Sequence, residues 1–302
     1  MNLAPAVGRI LHSYVHDARY PEYFRVWERQ GVHVTQNAFF SPIPDTQALD
    51  DSLWARRSEL HGVDMNAEGQ LALLREVFPR YQDACAAIPT SPTDVDWQFH
   101  LNNHTFDGTD ALVLYCMLHH FKPRNVLEIG SGFSTRLMAQ VAHDIGGMRL
   151  VSVDPYPGSV VAAGIPGLEE LVPVPAESLP LDRFLALEDG DLLFIDSSHA
   201  LRCGGDVQFL YLEVLPRLRP GVMVHVHDIF FPLDYPRKWI KEHCIFWTEQ
   251  YLLQAFLAFN RDFEVLFANQ FVWQNFPERL RAAFPESQPW WGGGSVWMRR
   301  RP

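Results

Sequence analysis

Two hydrophobic periods run along this 302-residue chain, and they change over near residue 110. Before that point the apolar positions are helical. In 66–87, Leu71, Leu73, Leu74, Val77, Phe78 and Tyr81 recur at spacings of three and four, which predicts an amphipathic helix kinked at Pro79. A Pro-, Ser- and Thr-rich stretch at 88–93 ends it. Upstream, 19–30 is a short aromatic-rich helical piece. The segment 39–45, with Pro42 and Pro44, is extended or turned, because proline restricts the residue before it.

From Asp110 onward, short apolar runs alternate with helical stretches. Strands are predicted at 125–129, 150–153, 171–174, 192–195, 222–226, 263–267 and 295–299, and helices at 110–121, 134–143, 206–215 and 248–260. Apolar strands joined by helices imply an α/β, Rossmann-like, mostly parallel sheet covered on both faces. The expected division is a helical N-terminal extension or lid over 1–108 and a sheet domain over 109–302. Such sheets bind ligands beyond the carboxyl ends of their strands, so the residues after each strand carry the chemistry.

Composition narrows the partners. Lys plus Arg number 25 against 36 for Asp plus Glu, a net charge of -11. That argues against nucleic acid, whose nonspecific affinity rests on basic groups. No apolar run reaches the 18 or so residues of a membrane span. Cys85, Cys116, Cys203 and Cys244 form no CxxC pair, and a reducing cytoplasm is expected. A small molecule is the expected substrate, and a homodimer through the helical lead-in the expected assembly.

The first strand runs into Glu128-Ile129-Gly130-Ser131-Gly132-Phe133-Ser134-Thr135 and then a helix. Glycines here allow a tight turn and a close ligand approach, and Ser134 or Thr135 suits a helix cap. A plain strand-to-helix turn has the same appearance. Thr135 replaces the third glycine of a dinucleotide fingerprint, and the Glu128 carboxylate would repel a pyrophosphate. Asp154 closes the second strand, where an acid accepts from ribose hydroxyls. Together they fit an adenosine ligand without phosphates and with a cationic end.

The run Val126-Leu127-Glu128-Ile129-Gly130-Ser131-Gly132 and Asp154 resemble the first motif and the ribose acid of class I S-adenosylmethionine-dependent methyltransferases. The resemblance spans 110 to the C-terminus. It implies a seven-stranded sheet with one antiparallel strand near the end, at 295–299. It also implies a cofactor site at Glu128, Gly130, Ser131, Gly132, Ser134, Asp154 and Asp196, with Glu177 or Ser178 near the adenine.

The fourth strand ends in Asp196-Ser197-Ser198-His199 and the fifth in His225-Val226-His227-Asp228. Neighbouring strand ends lie about 5 Å apart, so Asp196, His227 and Asp228 can converge on a divalent cation. His199, with an ordinary pKa of about 6.5, is placed to take a proton. Alternatively, the acids make an ordinary cofactor contact and a loop or cap. His225 lies deeper and reads as a satisfied core histidine.

This part resembles metal-dependent small-molecule O-methyltransferases, including those that methylate sugars in macrolide biosynthesis. The resemblance implies magnesium on Asp196 and Asp228 and His199 as base. His227 stands where that group has an acid, which opens the site to manganese or iron. The expected function is methyl transfer from S-adenosylmethionine to a hydroxyl of a small metabolite. The alternatives are metal-independent O-, N- or C-methylation, a nicotinamide-dependent oxidoreductase, and a non-catalytic cofactor-binding protein. Other candidate pocket segments are the aromatic run 230–247, Trp290-Trp291-Gly292-Gly293-Gly294, and His100, Asn102, Asn103 and His104.

Overall fold

The computed structural model describes residues 4–285 and 292–301. Seven strands form one sheet: β1 (Asn125–Ile129), β2 (Arg149–Val153), β3 (Leu168–Val172), β4 (Leu192–Ile195), β5 (Met223–His227), β6 (Phe263–Ala268) and β7 (Ser295–Arg300). Their order is β3-β2-β1-β4-β5-β7-β6. β1 to β5 pair in parallel, and β7 runs antiparallel to both β5 and β6. The seven-stranded Rossmann-like sheet with one antiparallel strand is therefore present.

Alternation of side chains assigns the two layers. Val126, Leu192, Phe194 and Met223 pack on one face with the helices Gly108–Phe121 and Phe133–Ile145. Leu127, Ile129, Leu193, Ile195, Val224 and Val226 face the other layer, with Leu210, Val214 and Leu253. Burial on both faces explains why these strands read as continuous apolar runs. The register sets Ile129 beside Ile195 and Ile195 beside Val226. Gly130, Asp196 and His227 thus follow in one row at the strand ends. The order reverses between β1 and β4, which makes this row the switch point.

Two expected helices are broken by proline in the same way. Over 66–87 an α-helix (Ala67–Ala72) passes into a π turn (Leu73–Val77), a 3-10 turn (Phe78–Tyr81) and a last α turn (Gln82–Ala86). Over 206–217, α (Asp206–Phe209), π (Leu210–Val214) and 3-10 (Leu215–Arg217) follow in sequence. Pro79 and Pro216 lack an N–H, and their rings exclude the carbonyls of Arg75 and Leu212; the preceding turn widens to make room. β3 begins three residues earlier than expected and ends at Val172, where Pro173 and Pro175 stop the ladder.

The chain forms two compact units, Met1–Ala55 with Pro236–Phe246, and Arg56–Tyr235 with Trp247–Pro302. The expected boundary at 108/109 falls inside the larger unit. In the smaller unit, Arg237 pairs with Asp51 at 3.0 Å, and Lys241 Nζ donates to the Leu49 carbonyl at 2.8 Å. The buried apolar residues of the described chain all belong to the larger unit. Among the described residues, no helix is long and apolar enough to cross a membrane.

Candidate active site

Gly130 is required by packing. Its φ is +90°, and a Cβ there would lie 1.8 Å from the Asp196 carbonyl oxygen. β1 and β4 are drawn that close because Asp196 N donates to the Ile129 carbonyl at 2.9 Å. At Gly132 a Cβ would meet nothing within 4 Å, so this glycine opens space beyond the carboxyl end of β1. The helix beginning at Phe133 points its first turn toward that space.

Glu128 is wholly buried. Ser134 Oγ donates to its Oε1 at 2.7 Å, and Thr135 Oγ1 to its Oε2 at 2.8 Å. Thr135 Oγ1 also accepts from Gly132 N at 2.9 Å, so the residue in the third-glycine position ties the loop to the strand. Burial drives the Glu128 carboxyl up to about 8, against the opposing hydroxyls of Ser134, Thr135 and Ser152. Glu128 and Ser134, both expected in the cofactor site, are engaged with each other beneath the loop. Ser131 N and Oγ both donate to Asp154 Oδ2, at 2.9 and 2.6 Å, and Tyr156 N donates to Oδ1 at 2.7 Å. Asp154 thereby links the β1 and β2 loops while staying partly exposed. Ser178 is exposed at the end of a 3-10 turn after β3, with Glu177 half-buried before it.

At the β4 and β5 ends the structure gathers Asp196, His199, His227 and Asp228. Ligating atoms of Asp196, His227 and Asp228 all lie within 4.8 Å of one another. His199 Nε2 sits 3.2 Å from Asp196 Oδ1 and 3.4 Å from Asp228 Oδ2. Its Nδ1 is 2.8 Å from Glu249 Oε2, a carboxylate with no exposed surface. The Asp196 and Asp228 side chains keep 26% and 18% of their surface, whereas His199 keeps 4%, so the two acids face the opening. His199 and Asp228 both hold a left-handed backbone, each at φ +56°. For non-glycine residues that conformation is costly and is kept where surrounding contacts enforce it.

The electrostatics follow from this crowding. Burial works against charge on Asp196, but His227 and the hydrogen bond from His199 outweigh it and hold the carboxyl down at about 2. Burial pushes Asp228 up to about 6. Burial also opposes charge on His199, yet Asp196 and Glu249 raise its pKa well above the ordinary value. His227 Nδ1 is buried without a hydrogen-bond partner among the described residues. Two open carboxylates beside an imidazole form a mixed oxygen and nitrogen donor set, which fits a divalent ion of the manganese or iron kind as well as magnesium.

His225 is buried, stacked on Phe194 at 4.0 Å between ring centres and edge-on to Trp297 at 4.7 Å. It is a core histidine, but neither ring nitrogen finds a partner among the described residues, and burial lowers its pKa well below the ordinary value. The 100–104 segment is a self-supporting loop: Asn103 Nδ2 donates to the carbonyls of His100 and Phe106, each at 2.8 Å, and Asp107 Oδ1 accepts from Asn102 N at 2.9 Å. Of the 230–247 aromatics, Phe231 and Tyr235 are core residues, while the Trp247 ring lies 4.3 Å from that of His199. Trp290 and Trp291 fall outside the described residues. Gly293, at φ +69°, and Gly294 are packed against Asp110 and Phe230 and lead into β7.

Two site residues escaped the sequence reading. Asp110 is buried and accepts from Asn269 Nδ2 at 2.7 Å, Gly294 N at 2.9 Å and Ser295 Oγ at 2.5 Å, which pins β7 next to the β5 end. Glu249 looks in sequence like an ordinary acid in a first helical turn. Only the fold brings it to His199, 50 residues away.

Residues 127–229 match the family model described as a methyltransferase domain. With the strand order above, this stretch is similar to a methyltransferase domain. An uncharacterized protein of Archaeoglobus fulgidus is 29% identical over 160 residues, covering 50% of this chain and 72% of the relative. Among solved structures, the O-methyltransferase TomG from Streptomyces achromogenes, involved in tomaymycin synthesis and in complex with SAM, is 16% identical with a TM-score of 0.35, over 63% of this chain and 78% of its own. An O-methyltransferase from Bacillus cereus in complex with SAH is 15% identical with a TM-score of 0.34, over 76% of this chain and 91% of its own.

Proposed function

We propose that the protein methylates a hydroxyl group of a small cytoplasmic metabolite, with S-adenosylmethionine as donor, a divalent metal held by Asp196, His227 and Asp228, and His199 as general base. The observation that carries this reading is the placement of His199. Its Nδ1 is anchored on a buried carboxylate, and its Nε2 faces two partly open carboxylates at the switch point.

The chain's residues have three tasks. The loop 130–132, Asp154 and Ser178 hold the donor, with Asp154 toward the ribose hydroxyls and the open side of Gly132 taking the ligand backbone. Asp196 and Asp228 orient the acceptor hydroxyl so that its oxygen lies in line with the methyl group. His199 Nε2 accepts the hydroxyl proton as the new carbon–oxygen bond forms and the carbon–sulfur bond breaks, leaving S-adenosylhomocysteine. A divalent ion bound by the three ligands would acidify the acceptor hydroxyl.

Calorimetric titration of S-adenosylmethionine, with and without magnesium, manganese or iron(II), tests the reading, followed by transfer of labelled methyl to a panel of hydroxylated metabolites. The expected outcome is one cofactor site and one metal site, the latter lost in Asp196→Ala. His199→Ala should lower turnover by about 100-fold or more while leaving cofactor affinity within about twofold. Full turnover in that variant would remove the base. Full turnover after exhaustive chelation would instead favour a metal-independent O-, N- or C-methyltransferase in which His199 or His227 acts alone and the acids are structural.

A further inference from the structure

We propose that the smaller unit carries a metal site of its own, in which His12, His16 and Gln36 hold a late first-row divalent ion of the nickel, copper or zinc kind. The site is independent of the proposed methyl transfer and of the cluster at Asp196.

The argument starts from what the smaller unit lacks. Its helices Ala4–Val15 and Tyr20–Glu28 bury no residue. A unit of this size without an apolar core needs another tie, and the ties small folds use are disulfides and metal ions. Cys244 is the one cysteine within 1–55 and 236–246, so no disulfide can form inside the unit.

His12, in the last turn of its helix, and His16, just beyond the end, stand one turn apart and share a face. Their ring centres lie 4.5 Å apart, with 63° between the planes. Both rings border a cavity of about 350 Å³, together with Gly8, Leu11, Val34 and Gln36. Tyr20 Oη donates to the Val34 carbonyl at 3.0 Å, which fixes this far wall of the cavity. The Gln36 amide nitrogen then lies 2.8 Å from His16 Nδ1 and 3.1 Å from Nε2. A nitrogen almost equally near both ring nitrogens sits over the ring, off the axis of either lone pair. Rotating the amide by half a turn presents its oxygen instead.

Two imidazoles and an amide oxygen, with water completing the shell, suit nickel, copper(II) or zinc. Magnesium and calcium take oxygen ligands and are not suited. An ion held there clips the first helix to the segment around Gln36, and its binding energy becomes stability of the unit.

Hydrogen exchange reads this clip directly and needs neither cofactor nor acceptor. The full-length protein, free of metal and of any histidine tag, is compared with and without saturating nickel(II) as the probe. Exchange over 4–37 should slow by about tenfold or more, with β1 unchanged. His12→Ala and His16→Ala alter exposed positions, and each should abolish the slowing while β1 stays protected. Asp196→Ala should leave the slowing intact, because that cluster is a separate site. Unchanged exchange over 4–37 in the wild type with nickel overturns the inference. Slowing that survives in both histidine variants, or that magnesium produces equally well, overturns it too. Slowing lost on hundredfold dilution of the protein would mean that the ion bridges two chains, which also refutes the site. The proposed function stands or falls separately, on binding of S-adenosylmethionine.

Discussion

Glu128 stands at the first strand's end with an acidic side chain and no cation beside it, and its environment decides its charge. Burial drives its carboxyl from 4.5 up to about 8. A carboxyl whose folded pKa is raised keeps its proton in the native state while the unfolded chain ionises. Stability therefore falls as pH rises from about 4.5 to about 8 and levels off above that window. At about 1.4 kcal/mol per unit, the loss is on the order of 5 kcal/mol. Glu128→Gln imitates the neutral carboxyl and removes this dependence. In ligand-free protein, the stability difference between variant and wild type, read by urea unfolding, should grow in the variant's favour by that order between pH 5 and pH 8.5. A difference independent of pH would mean that Glu128 is ionised in the folded protein. The sequence made Glu128 a candidate cofactor contact, since a strand-end acid next to a glycine loop has that appearance. That Ser134 and Thr135 would close over it depended on the turn of a helix that periodicity does not resolve.

At the scale of elements, the sheet was legible because its strands are buried on both faces and show as apolar runs between helices. The cluster at Asp196, His227 and Asp228 was legible for the same reason, since strand ends that are neighbours in register are also neighbours in space. What was hidden depended on a helix arriving from far along the chain, as Glu249 does, or on proline forcing π and 3-10 turns where an unbroken helix was expected. The two glycines after β1 separate packing from binding in a way that substitution can test. Gly130→Ala sets a Cβ against the Asp196 carbonyl at a φ of +90°, and should cost about 4 kcal/mol or prevent folding. Gly132→Ala adds its Cβ to open space, so stability should change by less than about 1 kcal/mol. The added methyl lies where the ligand backbone is proposed to run, and affinity for S-adenosylmethionine should fall about tenfold or more. Thermal unfolding and calorimetry of the pair distinguish the two roles. Equal behaviour of both variants would refute the division.

For the whole molecule, the two compact units differ in what holds them together. The larger contains the sheet, both apolar layers and Asp154, Asp196, His199, His227, Asp228 and Glu249. The smaller has helices Ala4–Val15 and Tyr20–Glu28 with no buried residue, and keeps Val7, Ile10, Val26, Phe39 and Phe40 exposed, Phe39 entirely. Its internal ties include the ion pair of Arg237 with Asp51 and the bonds of Lys241, and exposed pairs of this kind add little to stability because solvent screens them. A helix of this length that buries no residue is marginal in water. Hydrogen exchange should therefore be fast over 4–28 in the isolated chain, and slower by a factor of about 1,000 or more in β1, β4 and β5, which open only with the global transition. Repeating the measurement across a hundredfold range of protein concentration tests the expected homodimer. Protection in 4–28 that rises with concentration, alongside an unchanged sheet, would mean that a second copy covers the exposed apolar residues. Slow exchange there at every concentration would mean that the smaller unit has a stability of its own which its contacts do not account for.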